Sequence, residues 1–131
     1  PGVSAINIPK RVDFGFVPLD GSASATLPLR SWVPMEFEYK IDLLQDSPDI
    51  RVSPTSGVVP MLTGVDIRVV YTPSRFAVAR LLLRITVSQF NFEPVEVEIV
   101  GSCDPNAIRQ RHLQRLTREA ARGIAASEVP A

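Results

Sequence analysis

The sequence has 131 residues, with 14 Lys+Arg against 14 Asp+Glu, one His, one Cys and 12 Pro. Its length fits one domain and can bury a core without disulfides or metal. One Cys and one His exclude an intramolecular disulfide and any Cys/His zinc cluster, and zero net charge argues against a nucleic-acid binder.

No apolar run approaches the roughly 18–20 residues of a membrane span, so no membrane partner is expected. Hydrophobic residues make up 45% and charged ones 21%, the balance of a globular chain. Pro1-Gly2-Val3-Ser4 lacks the basic start of a signal peptide. Beginning at Pro without Met, the sequence is expected to be a piece of a longer protein. The lone thiol fits a reducing compartment.

The elements expected in chain order are mostly strands. Residues 6–8 and 12–14 are short candidates, and Gly15 lets the first strand bend or bulge and pass from one sheet to the other. Leu19-Asp20-Gly21-Ser22 is a turn, followed by alternation at Ala25, Leu27 and Leu29. After Val33-Pro34 comes the clearest period of two. Phe37, Tyr39, Ile41 and Leu43 alternate with Glu36, Glu38, Lys40 and Asp42. Residues 50–52 form a short strand, and Ser53-Pro54-Thr55-Ser56-Gly57 a turn. Alternation returns at Ile67, Val69 and Tyr71, then from Ala79 through Leu81, Leu83 and Ile85 to Val87, and last at Val95, Val97 and Ile99. About seven strands punctuated by proline predict an antiparallel β-sandwich.

The tail differs in kind. Residues 1–101 hold 9 basic and 11 acidic side chains, whereas 102–131 hold 5 and 3. Asp104 can cap a helix and Pro105 suits its first position. Leu113, Leu116, Ala120 and Ile124 then form an apolar stripe opposite Arg111, Arg115, Arg118 and Arg122. The expected organisation is a sandwich over 1–103, an amphipathic helical extension over 104–126 and a frayed tail over 127–131.

No catalytic signature is present, and no cofactor or metal is expected. His112 reads as a helix-surface residue, since a catalytic base needs an orienting carboxylate and a nucleophile beside it. Glu36/Glu38 and Glu96/Glu98 read as solvated strand faces that keep sheet edges soluble. Cys103 reads as a small half-buried hydrophobe rather than a reactive thiol. Trp32 has two readings, a cap over one end of the core or an exposed recognition anchor. Val70, Leu82 and Val100 fall on outward positions. They are isolated apolar residues, or one patch if they share a sheet. The arginine stripe is a solvated face or a surface for an acidic partner.

Several of these segments resemble an ASH domain (ASPM, SPD-2, Hydin), an immunoglobulin-like module related to the major sperm protein and PapD-like folds. The resemblance is carried by Val12-Asp13-Phe14-Gly15-Phe16-Val17 with Leu19-Asp20-Gly21-Ser22, and by Leu27-Pro28-Leu29 and Phe37-Glu38-Tyr39. It continues in the run from Ile50 to Pro60 with its Pro-x-x-Gly, in Val69-Val70-Tyr71-Thr72-Pro73 and in Val97-Glu98-Ile99-Val100-Gly101. One departure is Arg30-Ser31-Trp32, where the family commonly has an Asn. Ser88-Gln89-Phe90-Asn91, Pro94 and Gly101-Ser102-Cys103-Asp104-Pro105-Asn106 resemble more narrowly a family of cilia- and flagella-associated proteins of the axonemal central apparatus.

The fold this implies is an all-β, seven-stranded immunoglobulin-like sandwich with a C-terminal helical extension. The implied role is a non-enzymatic interaction module of a ciliary scaffold supporting motility, located in the axoneme. Its partners would be other axonemal scaffold proteins, with microtubule association and calmodulin entering through the resemblance alone. Partner-binding residues are expected at Arg111, Arg115, Arg118, Arg122 and Trp32. The alternative is a peptide- or lipid-associated adaptor of the same sandwich class outside the axoneme.

Overall fold

A computed structural model describes residues 2–105. The helix expected over 104–126, with its four arginines and His112, therefore lies from residue 106 onward outside the described residues. The described residues form nine strands: β1 (Val3–Ser4), β2 (Arg11–Phe16), β3 (Ala23–Ser31), β4 (Phe37–Gln45), β5 (Ile50–Ser53), β6 (Ser56–Val59), β7 (Gly64–Tyr71), β8 (Val78–Val87) and β9 (Val95–Ser102).

They form two sheets. One runs β1-β3-β7-β5 and the other β2-β9-β8-β4-β6. All neighbours are antiparallel except β2 and β9, which run parallel. The chain changes sheet at every connection up to β8, and β8 and β9 alone are a hairpin within one sheet. This is the expected sandwich, holding nine strands rather than about seven.

Alternating side chains explain the core. A strand sends successive side chains to opposite faces, so an apolar alternation buries one face only. Leu27 and Leu29 on β3 and Ile67, Val69 and Tyr71 on β7 meet Leu81, Leu83, Ile85, Val97 and Ile99 of the other sheet. All ten are fully buried. Each large aliphatic side chain so buried contributes roughly 1.5–3 kcal/mol. The β4 alternation buries Tyr39 and Ile41 but leaves Leu43 exposed, next to the point where the register slips before Gln45.

Local expectations are corrected in four places. Residues 6–8 are a turn, where Ile8 N–H donates to the Ala5 carbonyl at 3.0 Å. Gly15 does build a bulge, with φ of 67° and a register shift between Asp13 and Phe16, but β2 stays on β9 throughout. The change of sheet falls before it, between β1 and β2. In the Pro-x-x-Gly motif, only Pro54 and Thr55 link strands. Ser56 and Gly57 already belong to β6, on the opposite sheet from β5. Val70 lies on β7, while Leu82 and Val100 lie in the other sheet, so the three do not form one patch.

The outward face of β2, β9 and β8 is closed by ion pairs. Glu98 accepts from Arg11 Nε at 3.0 Å and from Arg80 Nε at 2.7 Å, and Arg84 meets Glu96 at 3.5 Å.

Candidate interaction surface

Among the described residues, half of the exposed large hydrophobic side chains gather at one end of the sandwich. This end carries the connections 32–36, 60–63 and 88–94 and the turn after β1. Trp32 follows directly on β3 and is 66% exposed. It does not cap the core. Met35 in the same connection and Met61 and Leu62 in the connection after β6 are also exposed, and Ile6 and Phe90 complete the set.

Backbone hydrogen bonds bring these loops together. Leu62 N–H donates to the Val33 carbonyl at 3.2 Å, and Ser31 N–H to the Thr63 carbonyl at 3.3 Å. Trp32 N–H donates to the Gly2 carbonyl at 3.1 Å. Leu62 is held at a φ of 62°, a conformation seldom adopted by a side chain of this size. Next to Trp32 lies a cleft of about 540 Å³ that Ile6, Gln89 and Phe92 also line. Gln89 ties its floor to the sheet by accepting from Val3 N–H at 2.8 Å.

Such an end is suited to binding. Exposed apolar groups brought together on loops mark surfaces that another protein covers. Among the described residues, no cluster of His, Cys, Asp and Glu could hold a metal ion, and no helix is long and apolar enough to cross a membrane. Cys103 is buried, with its N–H donating to the Ala77 carbonyl at 2.9 Å. Glu38 is exposed on β4 and Glu98 is committed to its two arginines.

At the opposite end, Asp49 accepts from the Ser74 hydroxyl at 2.6 Å and from Ser74 N–H at 3.2 Å. The hydroxyl bond is the main cause that holds the Asp49 carboxyl below its usual range. It clips the β7–β8 connection to the start of β5.

Of the expected binding residues, the structure places Trp32 at the apolar end. Arg111, Arg115, Arg118 and Arg122 lie outside the described residues. Met35, Met61 and Leu62 were not expected. Their signal was an apolar residue just after a proline, at Pro34-Met35 and Pro60-Met61-Leu62, where a loop has no core to bury it.

The fold is that of ASH and PapD-like domains. The PapD-like domain 7 of human CEP192 superposes with a TM-score of 0.62 over 76% of this chain and 82% of that one, at 10% identity. The chaperone DraB of E. coli superposes with a TM-score of 0.50 over 79% of this chain and 54% of that one, at 14% identity. No family model matches the sequence.

In sequence, the chain is similar to the cilia- and flagella-associated protein 221 homolog of Chlamydomonas reinhardtii, at 44% identity over 52 residues. That stretch is 40% of this chain and spans 8% of the length of the algal protein.

Proposed function

We propose that the chain is a non-enzymatic interaction module of a ciliary or flagellar scaffold, placed in the central apparatus of the axoneme. The observation that carries this reading is the 44% identity over 52 residues to a cilia- and flagella-associated protein, in a chain with an ASH/PapD-like fold. The apolar loop end around Trp32 is its candidate docking surface. The basic stripe Arg111, Arg115, Arg118 and Arg122 is a second one, directed at an acidic protein surface. Other scaffold proteins of the axoneme are the proposed partners, with microtubules and calmodulin as further candidates.

The test is localisation of the tagged full-length protein in ciliated cells. Signal along the axoneme that is retained after membrane extraction supports the reading. A protein absent from the axoneme overturns it and favours an adaptor of the same sandwich class acting elsewhere.

A further inference from the structure

A two-sheet sandwich has four edge strands, and the outward backbone groups of each need a partner or a guard. Three edges are guarded here. In β1 the outward residue is Val3, because Trp32 N–H donates to Gly2 and antiparallel residues alternate in direction. Val3 N–H is already taken by Gln89 Oε1. In β5, Thr72 N–H donates to the Asp49 carbonyl, so Ile50 and Val52 point outward. Ile50 N–H is taken by the Ser47 carbonyl at 3.3 Å; among the described residues Val52 N–H is left open, and the guard there is the exposed charged Arg51 between the two. On β2 the edge carries the charged pair Arg11 and Asp13 and ends in the bulge, where Gly15 N–H donates to Asp13 Oδ1 at 2.8 Å.

The fourth edge, β6, has no such guard. Ile41 N–H donates to the Thr55 carbonyl at 2.7 Å, and the register continues through Tyr39↔Gly57 to Phe37↔Val59. Thr55, Gly57 and Val59 therefore bond toward β4, and Ser56 and Val58 turn their N–H and C=O groups away from the sheet. Among the described residues, no side chain or carbonyl outside the ladder takes either N–H. The strand carries no charge and no bulge, and Val58 is exposed.

A cleft of about 600 Å³ opens against this edge, lined by Tyr39, Gly57, Val58 and Val87 among others. A Cβ on Gly57 would stand 3.2 Å from the Tyr39 ring, so glycine lets β6 lie close against that buried side chain.

We propose that an extended segment of a partner protein adds to β6 as a sixth strand of this sheet. It bonds to Ser56 and Val58 and sets one side chain into the cleft beside Val58. Pro54 and Pro60 flank the strand and limit the pairing to a short register. A second copy is the poorer occupant, because its β6 would bring another Gly57 to the centre and leave the cleft unfilled. This goes beyond the ciliary reading and does not depend on it.

A displayed library of random ten-residue peptides, panned against the 131-residue chain, provides the probe. Selected peptides should alternate apolar and polar residues. Bound, they should slow hydrogen exchange of the Ser56 and Val58 amides by at least about tenfold, and Val58→Pro should weaken them by a similar factor. Val58→Pro removes an outward N–H and leaves the β4 ladder whole, so the melting temperature should hold. Val58→Thr keeps that N–H and should keep binding. No enrichment, protection confined to β2 or β5, or binding indifferent to Val58→Pro would overturn the proposal. So would a concentration-dependent dimer of the chain that Val58→Pro dissociates, which would assign the edge to a second copy.

Discussion

Gly101 of β9 faces the ring of Tyr71 on the opposite sheet, so closely that an added Cβ would lie 2.5 Å from Cε2 and 2.6 Å from Cδ2. The ring also stacks with Phe14, with centroids 6.1 Å apart and planes inclined by 21°. Tyr71 is fully buried, and its hydroxyl has no hydrogen-bond partner among the described residues. Burial first, then the neighbouring Cys103 and Asp49, raise its pKa and keep the phenol neutral.

Two substitutions should therefore act in opposite directions. Gly101→Ala overpacks the contact and should destabilise by about 1–3 kcal/mol. Tyr71→Phe removes a buried unpaired hydroxyl while keeping the ring, and should be neutral or stabilise by about 1 kcal/mol. Urea denaturation of both variants checks this. A clear loss in Tyr71→Phe would show that the hydroxyl is bonded in solution.

Acid should weaken the outer face of the five-stranded sheet through Glu98. The hydrogen bond from Arg80 is the main cause holding its carboxyl below the ordinary 4.5, with the charges of Arg80 and Arg11 adding to it. A folded-state pKa below the unfolded one gives stability that is fully present above the unfolded value and is lost as pH falls through the folded value. Glu98→Gln should therefore melt earlier than the parent chain at pH 7. The gap should close as pH falls below about 4.5 and should shrink at high salt. Melting curves taken from pH 7 to 3 read it directly, and a gap that does not change with pH would contradict the assignment.

Trp32 is the sequence's single tryptophan, which makes it its own reporter. An indole 66% exposed should emit as a hydrated fluorophore and be readily quenched by acrylamide. Trp32→Ala should cost no more than about 0.5 kcal/mol of stability, as for other surface changes. It should nevertheless weaken any partner that covers the loop end formed with Met35, Met61 and Leu62. A large loss of stability would make the indole part of the core instead.

Charge reversal at Arg115 and Arg118 should weaken assembly into the scaffold and leave the melting temperature of the sandwich unchanged. Co-sedimentation with isolated axonemes, together with thermal melts, separates the two effects. An early melt with assembly intact would make the stripe's segment a brace for the sandwich rather than a contact.

The sequence by itself determined the strands that hold the core. Leu27, Ile67, Leu81 and Val97 sit in local alternations of period two, and burial on one face is a local property of such a strand. It also determined the character of the loops, through proline and glycine, and the bulge at Gly15. Short elements were harder to read. Two residues of β1 and four of β6 carry too little alternation, and Ser56-Gly57 looks like part of a turn until β4 is seen to pair with it.

Tertiary structure alone decided which groups are left open. Trp32, Met35 and Leu62 share one end because Leu62 bonds to Val33 across a long sequence separation. Ser56 and Val58 face outward because β4 takes the alternate residues Thr55, Gly57 and Val59. Being an edge, or a neighbour across loops, depends on which distant strands have paired. Pairing follows from the sum of many non-local contacts, which no single stretch of the sequence contains.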